Sequence, residues 1–104
     1  MNISPKELKQ LQDAKQEVFI LDVREDSEYQ ICNLGGLRIG MNELDQKVSL
    51  IPKTGKVVVH CHHGMRSQRA IEYLSRVHGF SNLINLSGGI DAWAREVDPK
   101  MPKY

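Results

Sequence analysis

Apolar residues along this chain follow two different periods. Val18-Phe19-Ile20-Leu21-Asp22-Val23, Val57-Val58-Val59 and Leu83-Ile84-Asn85-Leu86 are near-continuous apolar runs of strand length. Such runs mark strands buried on both faces, as in the interior of a parallel sheet. Between them the apolar positions return at helical spacing: Leu8, Leu11 and Ala14; Leu44, Val48 and Ile51; Ala70, Ile71, Leu74 and Val77. These patterns predict helices from Pro5 to Lys15, Asn42 to Ile51 and Arg66 to Val77, with a last one from Ile90 to Arg95 that carries Ile90, Ala92 and Trp93. Glu25 to Gln30 is polar enough for a single helical turn, and Leu37 to Ile39 for a brief strand. Strands alternating with helices predict an α/β domain: a mainly parallel sheet of four to five strands with helices on both faces.

Punctuation supports these boundaries. Ser4-Pro5-Lys6-Glu7 combines a capping residue, a proline at the first helical position and a glutamate three residues after the cap. Asn42 is a capping residue for the Asn42 to Ile51 segment and Pro52 a stop. His78-Gly79 resembles a helix C-terminal signal, and Ser87-Gly88-Gly89 turns the chain into its last helix. The tail Asp98 to Tyr104 carries prolines that forbid a helix, so it is expected to lie extended on the surface.

The central strand leads directly into chemistry, in Val59-His60-Cys61-His62-His63-Gly64-Met65-Arg66-Ser67. Cys61 falls where a strand ends and a loop runs into a helix N-terminus. A thiol there faces several backbone N–H groups and the positive end of the helix dipole. That setting favours thiolate, the reactive form, and Arg66 adds a permanent cation five positions on. Gly64 permits close backbone approach, while Ser67 offers a cap and a hydroxyl at the same helix start. His62 and His63 shape the loop and add partial positive charge, and His60 reads as a packed core histidine. Asp22 and Arg24 end a parallel strand where a crevice is expected, and either support the site or pair with each other to tie loops together. Arg69 faces the same pocket or solvent. Cys32 reads as a buried structural cysteine, and Trp93 as a core residue. The run His60-Cys61-His62-His63 holds four metal-binding side chains. Consecutive strand residues point to opposite faces, however, and no second ligand pair stands elsewhere, so no metal is expected.

Composition narrows the function classes. A length of 104 residues predicts one domain over 1–104, too small for a second catalytic module, so any second substrate arrives on a partner. Fourteen basic residues balance thirteen acidic ones without a basic run, which points away from nucleic acid and from anionic membrane. No apolar run approaches a membrane span or a signal-peptide core, so the expected location is cytoplasmic. In a reducing compartment the two cysteines remain free thiols, and Cys61 stays available.

Taken together, these residues resemble a single rhodanese domain, the sulfurtransferase family. Leu21-Asp22-Val23-Arg24 with Glu28-Tyr29 resembles its first signature, the segment from Val59 to Ser67 its active loop, and Leu86 to Trp93 its closing one. Ile31 to Leu34 and the ending Pro102-Lys103-Tyr104 resemble rhodanese domains fused to ubiquitin-activating-enzyme-like proteins that sulfurate molybdopterin synthase or thiamin sulfur carriers. The resemblance implies a rhodanese-like fold and a catalytic Cys61 that accepts a sulfane sulfur as a persulfide and passes it on, with no cofactor. It implies a cradle for the anionic persulfide made of the N–H groups of residues 62 to 66 and the Arg66 guanidinium. Implied donors are thiosulfate or a cysteine desulfurase; implied acceptors are cyanide, a thiol such as a thioredoxin-like protein, or a sulfur-carrier C-terminus. Adenylation of a carrier would come from elsewhere, since nothing before Val18 has room for a nucleotide-binding domain. Two departures stand out: His62 where many members have a basic residue, and Cys32-Asn33-Leu34 where Gly-His-Ile is usual.

Two other readings share the loop. Cysteine-based phosphatases and arsenate reductases resemble Cys-x5-Arg, sized for a tetrahedral oxyanion, whereas four residues separate Cys61 from Arg66 and Ser67 stands where their arginine would fall. No carboxylic acid sits in the loop to protonate a leaving group. A non-catalytic rhodanese-like binding module is the third reading, and such modules often lose the cysteine that this chain retains.

Overall fold

The computed structural model describes all 104 residues. In chain order they form β1 (Asn2–Ile3), α1 (Pro5–Asp13), β2 (Val18–Asp22), α2 (Asp26–Ile31), β3 (Leu37–Arg38), α3 (Leu44–Lys47), β4 (Lys56–His60), α4 (Met65–His78), β5 (Leu83–Leu86) and α5 (Gly89–Glu96). The five strands make one parallel sheet in the order β1-β5-β4-β2-β3. The central strand β4 pairs Val59 with Leu21 on one side and with Asn85 on the other.

Alternation along β4 builds two cores. Val57 and Val59 face a cluster with Leu21, Leu44, Ala70 and Leu74, under α3 and α4. Val58 faces Leu8, Ile20, Leu86 and Trp93, under α1 and α5. All three valines are fully buried, which explains a strand with no polar face.

The capping box of α1 is present: the Glu7 N–H donates to Ser4 Oγ at 3.1 Å and the Ser4 N–H to Glu7 Oε1 at 2.9 Å. Gly79 closes α4 at φ +74°, a left-handed turn that glycine makes without strain.

Two expectations change and one strand is new. The segment from Asn42 to Ile51 is not one helix: a 3-10 turn at Met41–Glu43, α3, and a second 3-10 turn at Val48–Leu50 follow one another, with Gly40 rather than Asn42 as the cap. Leu44, Val48 and Ile51 still reach the core, so the apolar spacing is met by short turns. Strand β1 has no signal in the sequence, because two residues at a sheet edge are too few for a period; the Asn85 and Ser87 N–H groups hold it by donating to Met1 O and Ile3 O. The tail does not merely lie on the surface. Asp98 N–H donates to Trp93 O and Met101 N–H to Asp98 O, a turn that returns Tyr104 to the C-terminal edge of the sheet, where the chains leaving β2, β4 and β5 gather.

Candidate active site

Cys61 follows β4 and is 1% exposed, packed on the α4 side of the sheet. Its surroundings follow from where the loop carbonyls go. Ile90 and Asp91, in the first turn of α5, donate their N–H groups to Cys61 O at 2.9 Å and His62 O at 3.0 Å. Gly64 O accepts from Gln68 N–H at 3.2 Å and from Asn85 Nδ2 at 3.2 Å. With these carbonyls turned outward, amides turn inward: Gly64 N–H donates to Cys61 Sγ at 3.1 Å and Ser67 N–H at 3.4 Å. Met65 and Arg66 head α4, so their N–H groups lack intrahelical acceptors. The inward donors therefore extend to Ser67, one residue beyond the expected span of 62 to 66.

Gly88 and Gly89 make this arrangement possible. Both have positive φ, and a Cβ on Gly89 would lie 2.3 Å from His62 O and 2.6 Å from Cys61 O. Only glycine lets α5 approach closely enough to hold those two carbonyls.

Ser67 is fully buried but caps nothing; the residue before α4 is Gly64, at φ +110° and without a side-chain cap. The single hydroxyl proton of Ser67 has three acceptors in range: Asn85 Oδ1 at 2.6 Å, Gly64 O at 3.1 Å and Cys61 Sγ at 3.5 Å. The shortest contact takes it while the cysteine is a thiol. Asn85 is oriented by donating through Nδ2 to Gly64 O and to Gln68 Oε1, so its Oδ1 is left for Ser67. Burial pushes the Cys61 thiol up, but hydrogen bonds from the Ser67 hydroxyl and from the amides of Ser67, Gly64 and His63 outweigh it, leaving the thiol below its usual range.

Arg66 is paired with a carboxylate. Its guanidinium donates from Nη1 to Glu28 Oε1 at 2.7 Å and from Nη2 to Glu28 Oε2 at 2.9 Å, a bidentate pair. Tyr104 donates its hydroxyl to Glu28 Oε2 at 2.8 Å and stacks its ring on His62 at 4.0 Å. Arg66 holds the Glu28 carboxyl down to about 2, and burial pushes the Tyr104 phenol up to about 12.

Asp22 and Arg24 pair with each other, Nη2 to Oδ2 at 2.7 Å, and both are fully buried. Arg24 also donates to Cys32 O at 2.8 Å, Glu28 O at 3.3 Å and Tyr104 Oη at 2.9 Å. The pair thus joins the loop after β2, the end of α2 and the tail, and supports the site from behind. His60 is buried with both ring nitrogens lacking hydrogen-bond partners, 3.6 Å from Asp22 Oδ2. Burial lowers its basicity to about 4, so it is neutral at neutral pH. Cys32 is a buried free thiol and Trp93 lies in the α1 and α5 core.

His62 and His63 are in the loop, not on a strand, since β4 ends at His60. Off the strand, the two side chains are not forced to opposite faces. Met65, 68% exposed, projects from the loop rim. Beside it a polar recess of about 500 Å³ is lined by His63, Gly64, Gln68, Arg69, Asn85 and Ser87, which puts Arg69 next to the loop. Glu28, Asn85, Gly89 and Tyr104 are the site residues that sequence reasoning missed as such. Glu28 and Gly89 lie within the first and closing signatures and Tyr104 within the ending Pro102-Lys103-Tyr104, while no local signal marks how far Asn85 or Tyr104 reaches across the fold.

Residues 4–96 match the model of the rhodanese-like domain. The chain belongs to the rhodanese-like domain family. A sulfurtransferase of Allochromatium vinosum is 37% identical over 81 residues, covering 77% of this chain and 75% of that protein. The adenylyltransferase and sulfurtransferase MOCS3 of Arabidopsis thaliana is 33% identical over 119 residues, covering 98% of this chain but 25% of its own. The chain spans about a quarter of that and the other adenylyltransferase relatives it matches. Among solved structures, a rhodanese-related protein from Thermoplasma volcanium superposes with a TM-score of 0.79 at 31% identity, covering 92% of both chains. A rhodanese-like domain protein from Staphylococcus aureus gives 0.81 at 28% identity over 93% of this chain and 95% of that one. The rhodanese-like fold and a relationship to sulfurtransferases are thereby established. No helix is long and apolar enough to cross a membrane.

Proposed function

We propose that residues 1–104 act as one sulfurtransferase domain that relays sulfane sulfur through a persulfide on Cys61. The observation that carries this reading is the ring of amides around Cys61 Sγ, with the Gly64 and Ser67 N–H groups donating to it. A thiolate there attacks the outer sulfur of a donor such as thiosulfate. The sulfur–sulfur bond breaks, sulfite leaves with the electron pair, and the terminal sulfur of the persulfide carries the negative charge. The N–H groups of Met65 and Arg66, left without intrahelical acceptors at the head of α4, stabilise that charge, and Arg66, held by Glu28, adds a cation at the rim. A nucleophile then attacks the terminal sulfur and restores the Cys61 thiolate.

His62, His63 and Met65 border the approach, and the recess beside Arg69 has room for the donor or acceptor. A protein donor such as a cysteine desulfurase, and a thioredoxin-like thiol or sulfur-carrier C-terminus as acceptor, fit the exposed rim and the similarity to MOCS3. Two free thiols fit a reducing compartment, the cytoplasm, as the place of action. The phosphatase reading gains no support, because Arg66 is bound to Glu28 and no carboxylic acid lies in the loop.

Thiocyanate formation from thiosulfate and cyanide tests the proposal. The chain should turn over and Cys61→Ser should not. If thiosulfate fails, loading by a cysteine desulfurase is the second arm, and failure of both donors would reject sulfur transfer.

A further inference from the structure

The mouth of the active loop carries a second group of side chains for which sulfur relay has no use as ligands. His62 and His63 lie in the loop and Asp91 in the first turn of α5, and one ligand atom from each lies within 4.8 Å of the others. His63 Nε2 stands 3.9 Å from Asp91 Oδ2. The rings of His62 and His63 are 4.0 Å apart, tilted by 33°.

The backbone holds the three together before any ion arrives. Asp91 N–H donates to His62 O at 3.0 Å, an approach that Gly89 alone allows. Tyr104 stacks on the opposite face of His62 at 4.0 Å and 12°, which restricts that ring. His63 is 65% exposed and free to turn.

We propose that His62, His63 and Asp91 form a binding site for a divalent transition metal, with Zn(II) or Ni(II) as the class of ion. Two imidazoles and one carboxylate are the donor set of such borderline ions, whereas magnesium and calcium favour oxygen alone. Tetrahedral bonds of about 2.1 Å place ligand atoms about 3.4 Å apart, so no gap within the 4.8 Å cluster has to close by more than about 1.4 Å, and the 3.9 Å between His63 Nε2 and Asp91 Oδ2 closes by about 0.5 Å. Three protein ligands leave a further position for water. Arg95 pairs with Asp91 one turn along α5 and competes with the ion for that carboxylate. Cys61 is not part of the set, since its sulfur points into the amide ring. The bound ion would clamp the loop to α5 across the approach to Cys61 and shield the thiol from reagents.

The test is titration of the full chain with Zn(II), and separately Ni(II), against a chromophoric chelator. One ion is expected per chain, bound equally by Cys61→Ser. His63→Ala and Asp91→Asn should each weaken binding at least about tenfold, the lower end of what losing even a supporting contact costs. Arg95→Ala should tighten it, and His78→Ala, which alters a surface histidine paired with Asp45, should not change it. Because His63 and Arg95 are exposed, these variants keep the fold, which circular dichroism verifies. Binding lost in Cys61→Ser would overturn the proposal in favour of a thiolate site. Binding retained in both His63→Ala and Asp91→Asn would overturn it as adventitious. In the wild-type chain the ion should also slow alkylation of Cys61, a readout independent of sulfur transfer; unchanged alkylation at saturating metal would refute the clamp.

Discussion

The reactivity of Cys61 is a contest between burial and hydrogen bonding, and hydrogen bonding wins. The rate of alkylation by a neutral reagent should therefore inflect at a lower pH in the folded chain than in the same chain unfolded in denaturant; an inflection at the same or higher pH would contradict the amide ring. Ser67→Ala removes the donor to Asn85 and leaves that buried oxygen unpaired, so it should cost about 1–3 kcal/mol in chemical denaturation. The sequence placed Cys61, Gly64 and Arg66 together on one loop, because strand, loop and helix follow within a few residues. It concealed the true partner of Arg66, since Glu28 is far away along the chain, and the role of Ser67, since a serine near a helix start looks like a cap. His60 supplies a separate test. Burial depresses its folded value to about 4 from an ordinary 6.5, so the unfolded chain binds more protons between those values. Stability therefore rises with pH across that window and is complete above it. Acidification from pH 7 to pH 4 should remove about 3 kcal/mol through this group, and His60→Leu should flatten that slope. An equal slope in the variant would assign the acid sensitivity to other groups.

Among the elements, the turn into α5 matters as much as the loop it supports. Gly89→Ala would force a side chain at φ +64° into the carbonyls of His62 and Cys61. The expected outcome is loss of sulfur transfer with melting lowered by several degrees; a fully active, equally stable Gly89→Ala chain would show that α5 does not set the loop. The buried pair of Asp22 and Arg24 has the opposite character, stabilising rather than chemical. Asp22→Ala leaves an unpaired buried guanidinium and should cost about 3–5 kcal/mol, read as a shifted denaturation midpoint. The strands β2, β4 and β5 and helices α1, α4 and α5 were legible because apolar period and caps agreed. The pieces around α3 were not, since the spacing of Leu44, Val48 and Ile51 describes which residues are buried and not how the backbone turns between them. Strand β1 exists only through pairing with β5, a nonlocal cause that no local pattern records.

Across the whole molecule, the parallel sheet brings the ends of β2, β4 and β5 to one edge, and the chemistry lies there. Arg24 follows β2, Cys61 follows β4, and Ser87 and Gly88 follow β5. The tail completes that edge through Tyr104, which touches Arg24, Glu28 and His62 at once. Proline content forbade a helix in the tail, but its destination depended on the fold being in place. The balanced charge and two-sided core describe a compact scaffold, and the proposed sulfur relay concerns one atom at its edge. Intact mass spectrometry after incubation with thiosulfate, comparing the wild-type chain with Cys61→Ser, addresses that atom most directly. The account predicts a gain of one sulfur atom in the wild type, reversed by cyanide and absent from Cys61→Ser. A sulfur gained equally by Cys61→Ser, or none gained from either thiosulfate or a cysteine desulfurase, would contradict it.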